Sequence, residues 1–215
     1  MSKRKIEKPN ENIQAIFTLI GPSGSGKTAF FRQLVLGQTF CPQSFTTTGV
    51  ETGVYEVEIN NENFKILFCD TSGSEYYEAT LKLLMRKSDA IIFFYDITSS
   101  KKTIEYLGKR ITEINEMGDK KKELTCFLLG TKLDLNKERQ VKTEAFKKFC
   151  QKNNEKIKFV NEISLATISQ KELKTLVEGM ASKLDWDELK KKKKKKKSKM
   201  IISVANALFL KLFVR

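Results

Sequence analysis

Short apolar runs alternate with amphipathic stretches along most of the chain. Ala15-Ile16-Phe17-Thr18-Leu19-Ile20 is the first run, ending in a glycine-rich turn, Gly21-Pro22-Ser23-Gly24-Ser25-Gly26. A helical pattern follows over Lys27–Leu36, making a strand–loop–helix unit. Gly49–Ile59 and Phe64–Cys69 flank the polar stretch Asn60-Asn61-Glu62-Asn63, which predicts a β-hairpin with a slightly long loop. Ala90–Tyr95 (AIIFFY) and Leu124–Leu129 (LTCFLL) are continuously apolar, as strands covered on both faces are. Helical patterns lie at 76–87, 101–117, 143–152 and 170–184, and Lys158–Asn161 reads as a weaker last strand. Strands alternating with helices predict an α/β fold. The expected sheet has six strands, mostly parallel, with one antiparallel edge strand from the hairpin and helices on both faces.

Composition narrows the chemistry. With 215 residues, 40% of them apolar and 15 of them Phe, the chain can bury the core of one ordinary domain. It contains no His, which removes His-based nucleophile activation, acid–base work and metal ligation together. Its four cysteines are widely spaced, without a CxxC pair, and read as reduced core thiols. The net charge of +14 is concentrated: residues 190–215 carry eleven positive charges and no acid, leaving +3 for the rest. A nearly balanced body argues against a nucleic-acid-binding domain. The organisation expected is a flexible N-terminus at 1–12 without a secretory signal, a globular domain at 13–189, and a polybasic plus apolar tail at 190–215.

Gly21 to Thr28 matches G-x-x-x-x-G-K-[ST] at a strand-to-helix junction. Small residues there let successive backbone N–H groups point at a polyphosphate, and the helix adds its positive end. Lys27 can reach the β- and γ-phosphates, and the Thr28 hydroxyl can ligate Mg²⁺. Asp70-Thr71-Ser72-Gly73 ends an apolar strand; Asp70 can hold a water on Mg²⁺ and the Gly73 N–H can meet a γ-phosphate. Thr131-Lys132-Leu133-Asp134 ends another; Asp134 can accept from the guanine N1–H and amino group, with the Lys132 stem along the base. Each short string alone is also a common turn. Their order, spacing and strand-end placement together make the case.

Over residues 13–184 these features resemble the Ras superfamily of small GTPases, most closely its Rab-like and Rho-like branches, with a P-loop NTPase fold. GPSGSGKT resembles the family's phosphate loop, DTSG its DTAG, Tyr95–Thr98 the Rab-type YDVT, and TKLD the Rho form of NKxD. Glu162-Ile163-Ser164-Leu165-Ala166 is similar to the E-x-S-A guanine loop. The resemblance implies GTP or GDP with Mg²⁺ as cofactors, and Thr28, Thr47 and Asp70 as the metal set. It implies a nucleotide site of Ser23, Gly24, Ser25, Gly26, Lys27, Thr28, Ala29, Phe40, Thr47, Gly73, Thr131, Lys132, Asp134, Ser164, Leu165 and Ala166. Lys27, Thr47, Gly73 and Ser74 fall at the positions that serve hydrolysis.

The departures carry information. Ser74 replaces the glutamine that orients the attacking water, which puts fast hydrolysis in doubt but leaves binding untouched. Leu165 stands where Ala is usual, and Cys69 and Thr52 replace the Trp and Phe of a Rab effector surface. The implied function is an intracellular GTP/GDP-binding switch that hydrolyses GTP slowly, in signalling or vesicle trafficking, with effector, exchange and activating proteins as partners. The alternatives are a GTP-bound scaffold with negligible hydrolysis and, at a distance, a P-loop kinase acting on a small molecule. The last cysteine, Cys150, lies inside the domain, so no prenyl anchor is expected. Lys190–Lys197 with Met200–Arg215 is instead expected to meet an anionic membrane surface at the cytoplasmic face.

Overall fold

The computed structural model describes residues 13–42, 47, 49–73, 78–99, 102–116, 124–152, 157–191 and 193. In chain order the elements are β1 (Ile13–Ile20), α1 (Lys27–Leu36), β2 (Val50–Ile59), β3 (Glu62–Thr71), α2 (Glu78–Lys87) and β4 (Ala90–Asp96). They continue with α3 (Lys102–Glu116), β5 (Thr125–Thr131), a 3₁₀ turn (Leu133–Glu138), α4 (Thr143–Lys152), β6 (Ile157–Glu162) and α5 (Gln170–Ala181). One six-stranded sheet runs β2-β3-β1-β4-β5-β6, antiparallel only between β2 and β3. The chain divides after Lys183 into two compact units, and the sheet belongs wholly to the first. In the second, residues 186–191 are helical.

Strand β4 shows why its sequence is apolar throughout: both of its faces are covered. Ile91, Phe93 and Tyr95 join Leu81 and Met85 of α2, Leu107 and Ile111 of α3 and Phe146 of α4 in one buried cluster. The alternate residues face α1: Phe94 meets Phe30 edge-on at 5.2 Å, and Phe30 packs on Phe68 at 6.5 Å, which packs on Phe17 at 5.4 Å. An alternating pleat places these two sets on opposite sides. Tyr95 stacks on Phe146 at 3.6 Å between centroids. Helix α2 buries only Leu81 and Met85, and it is further held by Arg110 of α3, 3% exposed, which forms a bidentate pair with Glu78 and also donates to Glu113.

Four expectations are corrected. The hairpin loop is shorter than Asn60–Asn63: Ile59 pairs with Glu62 and Glu58 with Asn63, so only Asn60 and Asn61 turn. Both have positive φ (52° and 62°), as a type I′ turn requires, and Asn tolerates that region better than other side-chain-bearing residues. β5 runs two residues past Leu129, because Gly130 and Thr131 still pair with β4. α5 stops at Ala181, short of 184, where the ladder tightens: Ser182 N–H still bonds Glu178 O at 2.8 Å, but Lys183 N–H bonds Met180 O at 3.1 Å. Cys41 is exposed in the irregular stretch after α1; the core-thiol reading holds for Cys69, Cys126 and Cys150. The expected helix start at 76–77, Ser74, the 1–12 lead-in and the tail beyond 193 lie outside the described residues.

Candidate functional site

The turn between β1 and α1 is built to leave backbone donors open. Gly26 caps α1 at φ 89°, a left-handed conformation, and no side chain caps the helix nor does an acid occupy its first turn. The first-turn N–H groups therefore face outward without a protein acceptor of that kind, at the positive end of the helix. A Cβ on Gly26 would come within 3.0 Å of the Thr131 methyl, so this glycine also lets the loop close onto β5. Thr131 fixes that closure by donating its hydroxyl to the Ser25 carbonyl at 3.0 Å or the Tyr95 carbonyl at 3.1 Å.

Lys27 is 4% exposed, and its ammonium donates to the carbonyls of Gly21 (2.7 Å) and Pro22 (2.9 Å). Burial lowers its pKa to about 8, against the opposing pull of Asp70. Asp70, at the end of β3, is fully buried, and burial raises its pKa despite the Thr28 hydrogen bond and the Lys27 charge. The Thr28 hydroxyl lies 2.7 Å from Asp70 Oδ2 and 2.7 Å from the Thr47 hydroxyl, which is 3.4 Å from the same Asp70 oxygen. Asp70 Oδ1 has no hydrogen-bond partner among the described residues. Three converging oxygen donors and an unsatisfied buried carboxylate oxygen form a set suited to a small hard cation such as Mg²⁺. Gly73 sits directly on the phosphate loop: a Cβ there would lie 2.4 Å from the Ser23 nitrogen.

A cavity of about 670 Å³ opens beside these groups. Its wall includes Gly24, Ser25, Gly26, Lys27, Thr28, Ala29, Phe40, Thr131, Lys132, Asp134, Leu165 and Ala166, twelve of the residues singled out from sequence. Of the others, Ser23 and Gly73 abut each other, Thr47 and Asp70 meet at Thr28, and Ser164 is buried with its hydroxyl unpartnered among the described residues. Lys132 takes the left-handed conformation (φ 63°) at the start of the 3₁₀ turn, and Asp134 is exposed with no hydrogen-bond or ion-pair partner among the described residues. The segment around Leu165 is stitched in place from two sides. Gln33 of α1 donates to the Leu165 carbonyl at 2.7 Å, Ile163 N to Gly130 O at 2.9 Å, and Leu133 N to Ile163 O at 3.1 Å.

Sequence reasoning missed several neighbours. Arg32, Gln38, Thr39, Cys41, Pro42 and Leu135 also line the cavity. Glu162 does not line it; it accepts from Tyr95, Arg139 and Thr143 behind the loop it introduces. The signal for Gln33 was a polar residue on the inner face of α1 between Phe31 and Leu34. For Arg139 it was a lone arginine in a lysine-rich stretch.

A model of the Ras family matches residues 17–184. Among curated proteins, the chain is 31% identical over 137 residues to "Ras-related protein Rab-2B" of Dictyostelium discoideum, covering 64% of this chain and 66% of that one. It is 30% identical over 147 residues to "Ras-related protein YPTC6" of Chlamydomonas reinhardtii (67% and 66%). Against human "Ras-related protein Rab-30" it is 29% identical over 178 residues (77% and 86%). The matched segment thus spans just under two thirds of the first two relatives.

Proposed function

The chain belongs to the Ras family of small GTPases, and from that premise we propose that it works as a GTP/GDP-binding switch of the Rab-like kind, in signalling or trafficking. Residues 13–189 form its nucleotide-binding domain in this reading. The observation that carries it is one cavity lined both by the glycine-rich turn around Lys27 and by Lys132 and Asp134, a carboxylate without a partner among the described residues. Lys27 and the first-turn N–H groups of α1 would bind the phosphates, and Thr28, Thr47 and Asp70 would hold Mg²⁺. When bound, the magnesium nucleotide supplies the phosphoanhydride bond that is hydrolysed. The Gly73 N–H and Thr47 sense the γ-phosphate, and their release on hydrolysis is what effector, exchange and activating proteins read.

Ser74 sets the rate in this reading. A serine hydroxyl cannot reach where the family's glutamine orients water, so intrinsic hydrolysis is expected at or below about 10⁻⁴ s⁻¹, with Ser74→Gln faster. Single-turnover phosphate release from the two proteins decides this. A fast wild type or a Gln variant without gain means that another residue positions the water, and GTP binding with no release at all makes the protein a scaffold. Competition with ATP completes the test, since ATP preference would support a small-molecule kinase.

The tail supplies the membrane part of the proposal. No helix among the described residues is long and apolar enough to cross a membrane. Lys190–Lys197 can add about 1 kcal/mol per lysine near an anionic leaflet, and the apolar end adds insertion. The full chain is expected to sediment with phosphatidylserine vesicles, less so in high salt, and a form ending at Leu189 to stay in the supernatant. Equal partitioning of both forms would rule the tail out as an anchor.

A further inference from the structure

Lys132 lies on the cavity wall with its backbone fixed in the left-handed region at the end of β5, and its ammonium is fixed as well, 2.6 Å from Asp96 Oδ2 at the end of neighbouring β4. Asp96 is itself held. Its Oδ1 accepts the Thr98 N–H at 2.8 Å and the Thr98 hydroxyl at 2.7 Å, and its backbone pairs with Thr131, the residue before Lys132. A free lysine stem would sample many rotamers, and ordering such a side chain on binding lowers affinity. Tied at both ends, the Lys132 methylenes are ordered before any ligand arrives.

We propose that Asp96 is a positioning residue for nucleotide binding, holding Lys132 as a preset apolar rail against the face of the base. This rests on the guanine-nucleotide reading of the cavity. Because methylenes pack on any purine face, the contribution of Asp96 is independent of base identity, unlike that of Asp134. Asparagine at 96 keeps an acceptor oxygen for Thr98 and so preserves the turn, while losing the charge that holds the ammonium.

The test is a double-mutant cycle on the full chain with Mg²⁺–GDP, read by calorimetry. Asp96→Asn is expected to weaken GDP binding about twofold to tenfold. Lys132→Met keeps the stem's bulk without the ammonium, and in that background Asp96→Asn is expected to change nothing further. In the Asp134→Asn background, xanthosine diphosphate binding is expected to fall by the same factor. An equal loss with and without the Lys132 ammonium would assign Asp96 to the turn and overturn the proposal, as would no loss in the single variant. Side-chain ¹⁵N NMR of the Lys132 ammonium separates this from the functional reading. A signal that Asp96→Asn leaves unmoved overturns the pair itself, whereas a perturbed signal in a wild type that binds no GDP defeats the guanine reading, and the proposal built on it falls too.

Discussion

Asp134→Asn is expected to lower affinity for GTP and GDP at least tenfold and to raise affinity for xanthosine triphosphate. The Asp134 carboxylate is exposed beside the cavity and has no hydrogen bond or ion pair among the described residues, so its replacement breaks none of theirs. A carboxylate accepts from both the N1–H and the 2-amino group of guanine, while an asparagine amide turns a donor toward one of them. Leaving one such buried group unsatisfied costs about 1–3 kcal/mol, and 1.4 kcal/mol is a factor of ten. Xanthine carries an oxygen in place of the 2-amino group and accepts the new donor. Equilibrium titration with the two nucleotides measures the exchange of preference. Unchanged GTP binding would take Asp134 out of the site.

The second large effect is on stability. Glu162 is almost buried, and it receives the Tyr95 hydroxyl at 2.7 Å, Arg139 through two nitrogens at 2.9 and 2.8 Å, and Thr143 at 2.8 Å. Burial alone would raise its pKa, but the hydrogen bonds from Arg139, Tyr95 and Thr143 outweigh burial and hold the carboxyl below its usual range. Removing one member of such a buried charged set costs about 3–5 kcal/mol, because the partners stay behind unpaired. For a domain of this size that lowers the melting temperature of Glu162→Ala by roughly 6–20 °C. The carboxylate has its lower pKa in the folded state, so its contribution is complete above the unfolded pKa near 4.5 and is lost as pH falls through the folded value. The gap between wild type and variant therefore narrows in acid. Thermal unfolding at neutral and acid pH reads both effects, and a shift under about 2 °C at neutral pH would make the network dispensable.

The parts of the molecule that were legible in the sequence are those whose physics is local. A continuous apolar run such as AIIFFY has nowhere to go but between two layers, and β4 is there. Gly26 and Gly73 stand where a side chain would collide with neighbouring backbone or side chain, so their place in a motif matched their place in space. The Ser169–Glu172 capping box that starts α5 is local in the same sense, although its spacing went unread. What was not readable depends on pairing across distance. Nothing near Gln33 in the chain announces the Leu165 carbonyl, 132 residues away, that it holds. Arg139 looks like a surface charge until the 3₁₀ turn and β6 bring it against Glu162. The Asn60–Asn61 turn was misjudged because polarity was counted as loop, whereas Glu62 and Asn63 extend the edge ladder with exposed side chains.

The buried Lys27 and Asp70 tie the protein's lifetime to its ligand. Lys27 holds a charge out of water against two backbone carbonyls, the Ser25 hydroxyl and the nearby Asp70, and Asp70 keeps one oxygen unsatisfied among the described residues, so burying the pair is a cost that phosphate and cation would relieve. A ligand that binds only the folded state stabilises it by about 4 kcal/mol when present at a thousand times its Kd. Chaperones and proteases act on the fraction of chains that are unfolded at any moment, and changes of one or two kcal/mol alter abundance several-fold. Copies that lose their nucleotide and do not regain it are thus expected to be cleared first, so that the amount of this protein in a cell would follow its occupancy as well as its synthesis.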